Sequence, residues 1–283
     1  MEWIEKTLGE LGDIVGGATP STKHEEYYGG DIAWITPKDL SLFKGRYISC
    51  GERSITEAGL ASCSAQMMPP NTVLFTSRAP IGYVAIARQS VCTNQGFKSV
   101  VPHECVDSLF LYYLLKFNKE RIEAMGSGTT FKEVSGKTMK AVQVRIPCKI
   151  EGQKKIASIL DSIDSKIENN AKINDNLQQQ AFVLFDSFFR NISDGLCTIG
   201  DYLTPKRGRN LLSKDAIPGT VPVVAGGLEP ATYHNTPNTT APVLTISASG
   251  ANAGFVNLWH KPVWSSDSSF IDSSMTKDVY FWF

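Results

Sequence analysis

Hydrophobic positions along the 283-residue chain change their period near residue 150 and again near residue 190. Between about Glu151 and Arg190, alternating steps of four and three land on Ile156, Leu160, Ile163, Ile167, Asn170, Asn174, Leu177, Ala181, Leu184 and Phe188, apolar at eight of the ten positions. No Gly follows Gly152 and no Pro follows Pro147 in this stretch. The heptad-like stripe predicts one helix of about 35–40 residues, roughly 50–60 Å long, with a coiled-coil seam. Asn170 and Asn174 interrupt the seam at its middle, where polar residues weaken pairing and help set its register. Asp161 and Asp164 lie off the stripe and read as its solvated face. The flanks have a different texture. Short β-branched runs (Val73–Thr76, Tyr83–Ala87, Lys98–Val101, Ala141–Ile146) are bounded by Gly, Pro, Asn and Ser and read as strands. An apolar helix is expected from about Ser108 to Ala124, with Tyr112, Tyr113 and Phe117 at helical spacing as core. The fold class is α+β: two domains of mixed strands and short helices, residues 1–149 and 191–283, separated by a helical spacer over 150–190.

The two flanks repeat each other. Thr7 with Glu10 and Thr198 with Asp201 open each flank with a capping-box spacing, the second a weaker version. Then Ile32–Thr36 matches Val221–Ala225, Val73–Ser77 matches Val243–Ser247, and the steps Gly82-Tyr83-Val84 and Gly254-Phe255-Val256 follow. Val91–Phe97 matches Val263–Phe270, and Leu109–Tyr113 matches Val279–Phe283. The order is preserved while the offset drifts from 191 to about 170, as a tandem duplication with loop-length changes would require. The second copy stops at Phe283, inside its expected apolar helix, so the second domain reads as incomplete.

Composition narrows the function. Lys and Arg total 28 against 28 Asp and Glu, and 42% of residues are hydrophobic. That is too apolar for a disordered chain, and a neutral balance argues against a non-specific nucleic-acid coat. The apolar runs are shorter than a membrane span, and Met1–Lys6 lacks the pattern of a secretory signal, so a cytoplasmic protein is expected. The six cysteines form no C-x-x-C pair and stand at no zinc-ligand spacing from the four histidines, so no metal site is expected. Catalytic motifs are also missing. Met68-Pro-Pro-Asn71 lacks the polar and aromatic flanks of an amino-methyltransferase motif. Phe131–Thr138 ends in the Gly-Lys-Thr of a phosphate loop, but Phe131 replaces its first glycine. Ile246–Gly250 is no nucleophile elbow. Two similar domains on a spacer, without a catalytic centre, suggest bivalent recognition.

Several motifs bear a family resemblance. Gly126-Ser-Gly-Thr-Thr-Phe-Lys132, Val144-Arg-Ile-Pro147, Glu151-Gly-Gln153 and the helix start Ile156–Ile167 resemble the specificity subunit of type I restriction–modification systems. Gly152 between Glu151 and Gln153 is a small departure from that pattern. Ile32–Thr36 and the stretch from Arg78 through Gly82 to Asn94-Gln95-Gly96 resemble the family's first target-recognition domain. The resemblance implies two target-recognition domains, each reading half of a split double-stranded DNA site, and a conserved helix that spaces them and docks modification subunits. It implies no cofactor in this chain; AdoMet, ATP and Mg belong to partner modification and restriction/motor subunits, and the modification subunits methylate adenine. The family's second conserved helix is missing here. The seam Ile156, Leu160, Ile163, Ile167, Asn170, Asn174, Leu177, Leu184 and Phe188 is therefore expected to seek self-association or a complementary half-subunit. Residue types suited to bases and phosphates place DNA contacts at Lys38, Arg46, Arg78, Asn94, Gln95, Lys98, Thr129, Thr130 and Lys132, and in a basic loop at Lys206, Arg207 and Arg209. Residues 1–149 carry 17 basic and 15 acidic groups, and residues 191–283 carry 6 and 7, so weak DNA binding is expected of the chain alone. Two other readings stand beside this one: a divergent AdoMet-dependent DNA methyltransferase, and a coiled-coil adaptor that binds no DNA.

Overall fold

A computed structural model describes residues 2–78, 80–128, 132–192, 195 and 197–283. The chain divides into two compact units, Met1–Val183 and Leu184–Phe283.

The first unit runs through β1 (Trp3–Thr7), α1 (Leu8–Leu11), β2 (Gly12–Gly16), β3 (Tyr28–Ile35), α2 (Pro37–Leu42), β4 (Tyr47–Ile48), β5 (Ser54–Ile55), α3 (Glu57–Ala61), β6 (Val73–Phe75), β7 (Val84–Ala87), β8 (Cys92–Thr93) and β9 (Lys98–Pro102). It continues with α4 (Ser108–Phe117), α5 (Lys119–Ala124), α6 (Gly136–Ala141) and β10 (Gln143–Pro147). Local chemistry starts most of its helices. The Thr7 amide and hydroxyl both donate to Glu10, closing the predicted capping box of α1, and Thr36 and Asp39 repeat the device with Pro37 at the first position of α2. Asp107 accepts from the Phe110 amide to cap α4. Ser135 accepts from the Thr138 amide at 3.0 Å, so the phosphate-loop mimic is the capped first turn of α6. Phe131 lies outside the described residues.

Strands β2-β9-β6-β7-β4 form one sheet and β5-β3-β8 a second, while β1 pairs antiparallel with β10. Val73, Phe75, Ile86 and Val100 from the larger sheet pack with Leu111, Leu115 and Ile122 in a core that also takes in Leu8, Leu11 and Ala157. Two sequence expectations need correction. The helix expected over 108–124 breaks at Asn118, whose side-chain amide donates to the Leu114 carbonyl at 2.8 Å while its backbone leaves helical geometry. Tyr112 is buried as expected, but Phe117, one turn past Leu114 at the edge of the core, is 88% exposed.

A single helix, α7 (Ile150–Phe189), follows. Gln153 and Ala157 are buried on the first unit, and Ile156 is half-buried against its core. Gln153 is a joint: its side-chain oxygen accepts the Asp107 amide at 2.9 Å, and its nitrogen donates to the Cys105 and Pro147 carbonyls at 3.1 Å each. It ties the start of α7 to the start of α4 and the end of β10. Further along, the expected solvated face is a docking face. Tyr113 donates to Asp164 at 3.0 Å, and Arg46 reaches Asp161, Ser165 and Glu168. The seam lies about a quarter to a third of a turn away from it. Leu160, Ile163, Ile167, Asn170, Asn174 and Leu177 are exposed. Among the described residues, no helix is long and apolar enough to cross a membrane.

The second unit contains the end of α7, then α8 (Ile199–Tyr202), β11 (Lys206–Arg207), β12 (Val221–Val224), β13 (Thr232–His234), β14 (Val243–Ser247), β15 (Val256–Trp259), β16 (Trp264–Ser265) and β17 (Ser268–Asp272). Phe185 stacks on Phe189, and both face Phe281, while the seam residues Leu184 and Phe188 stay exposed. Thr198 and Asp201 close a full capping box on α8, stronger than the sequence alone suggested. The sheets are β11-β17-β14-β15 and β13-β12-β16. Strand by strand these repeat β2-β9-β6-β7 and β5-β3-β8, down to the parallel pairing of β3 with β8 and of β12 with β16. The strand landmarks of the duplication fall on corresponding strands, but where Leu109–Tyr113 lies in α4, its counterpart is a short 3-10 turn over Val279–Trp282 and not the expected apolar helix.

Candidate nucleic-acid interface

At one end of the first unit, backbone hydrogen bonds draw several loops together. The Ala18 amide donates to Thr93, Asn94 to Ile35, Ser77 to Gly96 and Val134 to Ser77, all between 2.7 and 3.0 Å. The loops after β2, β3 and β6, the turn before β9 and the segment before α6 therefore converge. The loop after β2 comes close to the end of β8 at Gly17, where a Cβ would stand 2.1 Å from the Thr93 carbonyl oxygen, so only glycine fits.

Most of the predicted contacts of this unit gather here. Asn94 accepts from the Gly96 amide at 2.9 Å, an arrangement that shapes the turn, and exposed Gln95 accepts from Thr19. Glu133 bridges two cations: Arg78 Nε at 3.0 Å and the Lys98 amine at 3.7 Å. The amine lies over Gly16, 3.7 Å from where a Cβ would stand. Lys132, next to Glu133, is exposed. Lys38, three residues past Ile35, pairs with Glu52 at 2.7 Å with both side chains well exposed. Thr129 and Thr130 lie outside the described residues.

Arg46 does not belong to this group. Its side chain is only 10% exposed and its guanidinium is turned onto α7. Burial opposes the charge, but the Tyr113 hydroxyl, Asp161 and Glu168 outweigh it and hold the guanidinium above its ordinary pKa. Loop position and residue type pointed to DNA; the fold instead brings a helix face over the loop that carries it.

In the second unit the basic segment is a short strand, not a loop. Lys206 pairs with Phe270 and Arg207 with Ser269. Gly208 then makes the same close approach as Gly17: a Cβ there would stand 2.4 Å from the Ser265 carbonyl oxygen. The Arg209 amide donates to Ser265 as Ala18 does to Thr93. Trp34 donates to the Ala18 carbonyl at 3.1 Å and Trp264 to the Arg209 carbonyl at 2.8 Å, although the two indoles come from opposite members of the parallel strand pair. Lys206, Arg207 and Arg209 are exposed; Arg207 pairs with Asp267 at 2.6 Å, and Asp267 also accepts from Ser249.

Superposing the two strand registers gives one correspondence the sequence did not reveal. The equivalences of Gly17 with Gly208 and of Ala18 with Arg209 set the pair Gly16–Lys98 in β2 and β9 on the pair Arg207–Ser269 in β11 and β17. Each pair carries one basic side chain, contributed by opposite strands. The anchoring carboxylates, Glu133 and Asp267, were also missed; their position opposite a cation becomes visible only once the loops are assembled.

Comparisons with known proteins bear on this site. Residues 1–179 match the family model described as the type I restriction modification DNA specificity domain. The chain is 47% identical over 190 residues to the type I restriction enzyme MjaIX specificity subunit of Methanocaldococcus jannaschii, covering 66% of this chain and 44% of that protein. It is 31% identical over 173 residues to the EcoR124I/EcoR124II specificity subunit of Escherichia coli, covering 58% of this chain and 41% of that one. The chain thus spans less than half the length of both relatives. In fold it is similar to the crystal structure of the type I restriction–modification system S subunit from M. genitalium, with a TM-score of 0.53 at 21% identity, over 99% of this chain and 74% of that chain. With nearly two thirds of its length on the family model and the remainder repeating the same strand order, the chain belongs to the type I restriction modification DNA specificity domain family.

Proposed function

We propose that this chain is a DNA sequence-recognition subunit of a type I restriction–modification complex, with each unit reading one half of a bipartite double-stranded site. The basic side chain shared by the equivalent cross-strand pairs carries the reading. A charge serving the fold would have to keep its strand and its neighbours. A charge serving an external polyanion need only keep its place, and Lys98 and Arg207 keep their place while exchanging strands. Around them stand Arg78, Lys132, Lys206 and Arg209 for phosphates, and Asn94, Gln95 and Lys38 for base edges or backbone. The chain itself is non-catalytic and cytoplasmic in this reading. Docked modification subunits methylate adenine, and the exposed seam of α7 receives a second helix, from another copy or a complementary half-subunit.

The test is DNA affinity as a function of salt, measured on the chain assembled with modification subunits. Each phosphate contact contributes about 0.9 to the slope of log K against log salt. Lys98→Ala and Arg207→Ala should each lower the slope by about that amount without altering the preferred sequence. An unchanged slope in both variants, with melting temperatures intact, refutes the reading. Tight binding of AdoMet by the purified chain would refute its non-catalytic part.

A further inference from the structure

Arg46 is nearly buried, yet it lies neither in the core nor in the convergent loops. It enters from the segment before β4 and grips α7 with both terminal nitrogens. One donates to the Asp161 carbonyl at 2.9 Å and pairs with the Asp161 carboxylate at 3.0 Å; the other donates to Ser165 at 3.0 Å and pairs with Glu168 at 3.2 Å. Tyr113, from α4, holds Asp164 between them at 3.0 Å. Beyond Ala157, the helix face turned to the first unit is thus made of directional polar contacts at positions 161, 164, 165 and 168.

That choice of chemistry has a mechanical consequence. Apolar side chains slide over one another at little cost, whereas a planar guanidinium with fixed N–H directions accepts few orientations of its partners. Contacts at i, i+4 and i+7 on one helix resist rotation about the helix axis as well as sliding along it. We propose that Arg46 is a positioning residue: it sets the angle and register at which the first unit holds α7, and through them the number of base pairs allowed between the two half-sites. This rests on the reading of the chain as a bipartite DNA reader.

Geometry sets the precision required. From Glu168 to Val183 the helix runs about 22 Å at 1.5 Å per residue. Tilting it by about 10° at the clamp would move its far end by ~4 Å, more than the roughly 3.4 Å between successive base pairs. Gln153 fixes only the start of the helix, so a contact farther along is needed to hold the angle. Arg46 supplies that second point.

The experiment is methylome sequencing of cells expressing the full chain with modification subunits, comparing wild type with Arg46→Met, Arg46→Lys and the double variant Asp161→Asn/Glu168→Gln. Wild type should methylate one spacer length. Arg46→Met and the double variant should methylate the same half-site sequences at spacers one base pair shorter or longer, at a tenth or more of the wild-type level. Arg46→Lys, which keeps the charge but replaces the planar fork with a compact ammonium, should spread less. In parallel, amide exchange of residues 158–170 in the purified chain should accelerate at least tenfold in Arg46→Met while β6 and β9 stay protected. A single unaltered spacer in Arg46→Met overturns the proposal, and so does uniform loss of methylation without spread, which is what a purely structural residue would give. If wild-type cells show no methylated bipartite site, the functional reading fails and the spacer role falls with it, while unchanged exchange would separately overturn the clamp.

Discussion

Replacing Gln153 by methionine keeps the shape of the side chain and removes all three of its hydrogen bonds. Gln153 is fully buried, and its partners are the Asp107 amide and the Cys105 and Pro147 carbonyls. Each buried group left without a partner costs on the order of 1–3 kcal/mol, and the thioether recovers part of this by tolerating an apolar site, so the net loss should be about 3 kcal/mol. The damage should also spread. Asp107 is the cap of α4, and its amide is held by Gln153 while its carboxylate holds the Phe110 amide. In a unit of this size about 3 kcal/mol lowers the melting temperature by roughly 6–12 °C. Calorimetry of the whole chain reads the shift, and amide exchange assigns it to α4 and the first turns of α7. Gln153→Glu should be worse than methionine, because a buried carboxylate can no longer donate to the two carbonyls and faces them with negative charge. A methionine variant melting within about 2 °C of wild type, or a glutamate variant more stable than it, would show that the joint is not where the helix is held.

Three further outcomes follow from the same geometry. Gly17→Ala and Gly208→Ala should each destabilise their own unit by on the order of 1–3 kcal/mol, since the new methyl meets a backbone carbonyl that cannot swing away; unit-resolved exchange would show the loss, and two neutral variants would contradict the matched loop geometry. The Glu10 carboxyl is drawn down to about 2 by the Thr7 amide, then Lys6, then the Thr7 hydroxyl. A lowered pKa in the folded state means the capping box contributes fully above the ordinary carboxyl value of 4.5 and is lost as pH falls toward 2. Carboxyl-carbon NMR should find the Glu10 midpoint near 2 and Thr7→Ala should raise it; a midpoint above 4 in wild type would be decisive against the box. Burial pushes the Cys92 thiol up to about 12. At pH 8 a thiol reagent should therefore label the exposed Cys50, Cys105, Cys148 and Cys197 in the folded chain and reach Cys92 only on unfolding. Rapid labelling of Cys92 without denaturant would contradict its burial.

What the amino-acid order determined by itself was local or periodic. The stripe from Ile156 to Phe188 specifies α7 because a long run of one period without a breaker has one regular solution. Thr7 with Glu10, and Thr198 with Asp201, announce two helix starts within four residues each. The order of apolar runs in the two flanks foretold matching strand orders, because each run is short, half-buried and bounded by its own turn residues. Tertiary structure decided the fate of the charges. Arg46, Arg78 and Lys98 are all basic residues near loops; only the folded chain turns the first onto a helix more than a hundred residues away and the other two onto Glu133. Asp161 and Asp164 looked solvated because a helix period records which face is apolar and is silent on whether a polar face meets water or a polar partner. A charged side chain needs a counter-charge or solvent, and which of these it finds depends on loops converging across long sequence separations, which leave no mark in the neighbouring residues.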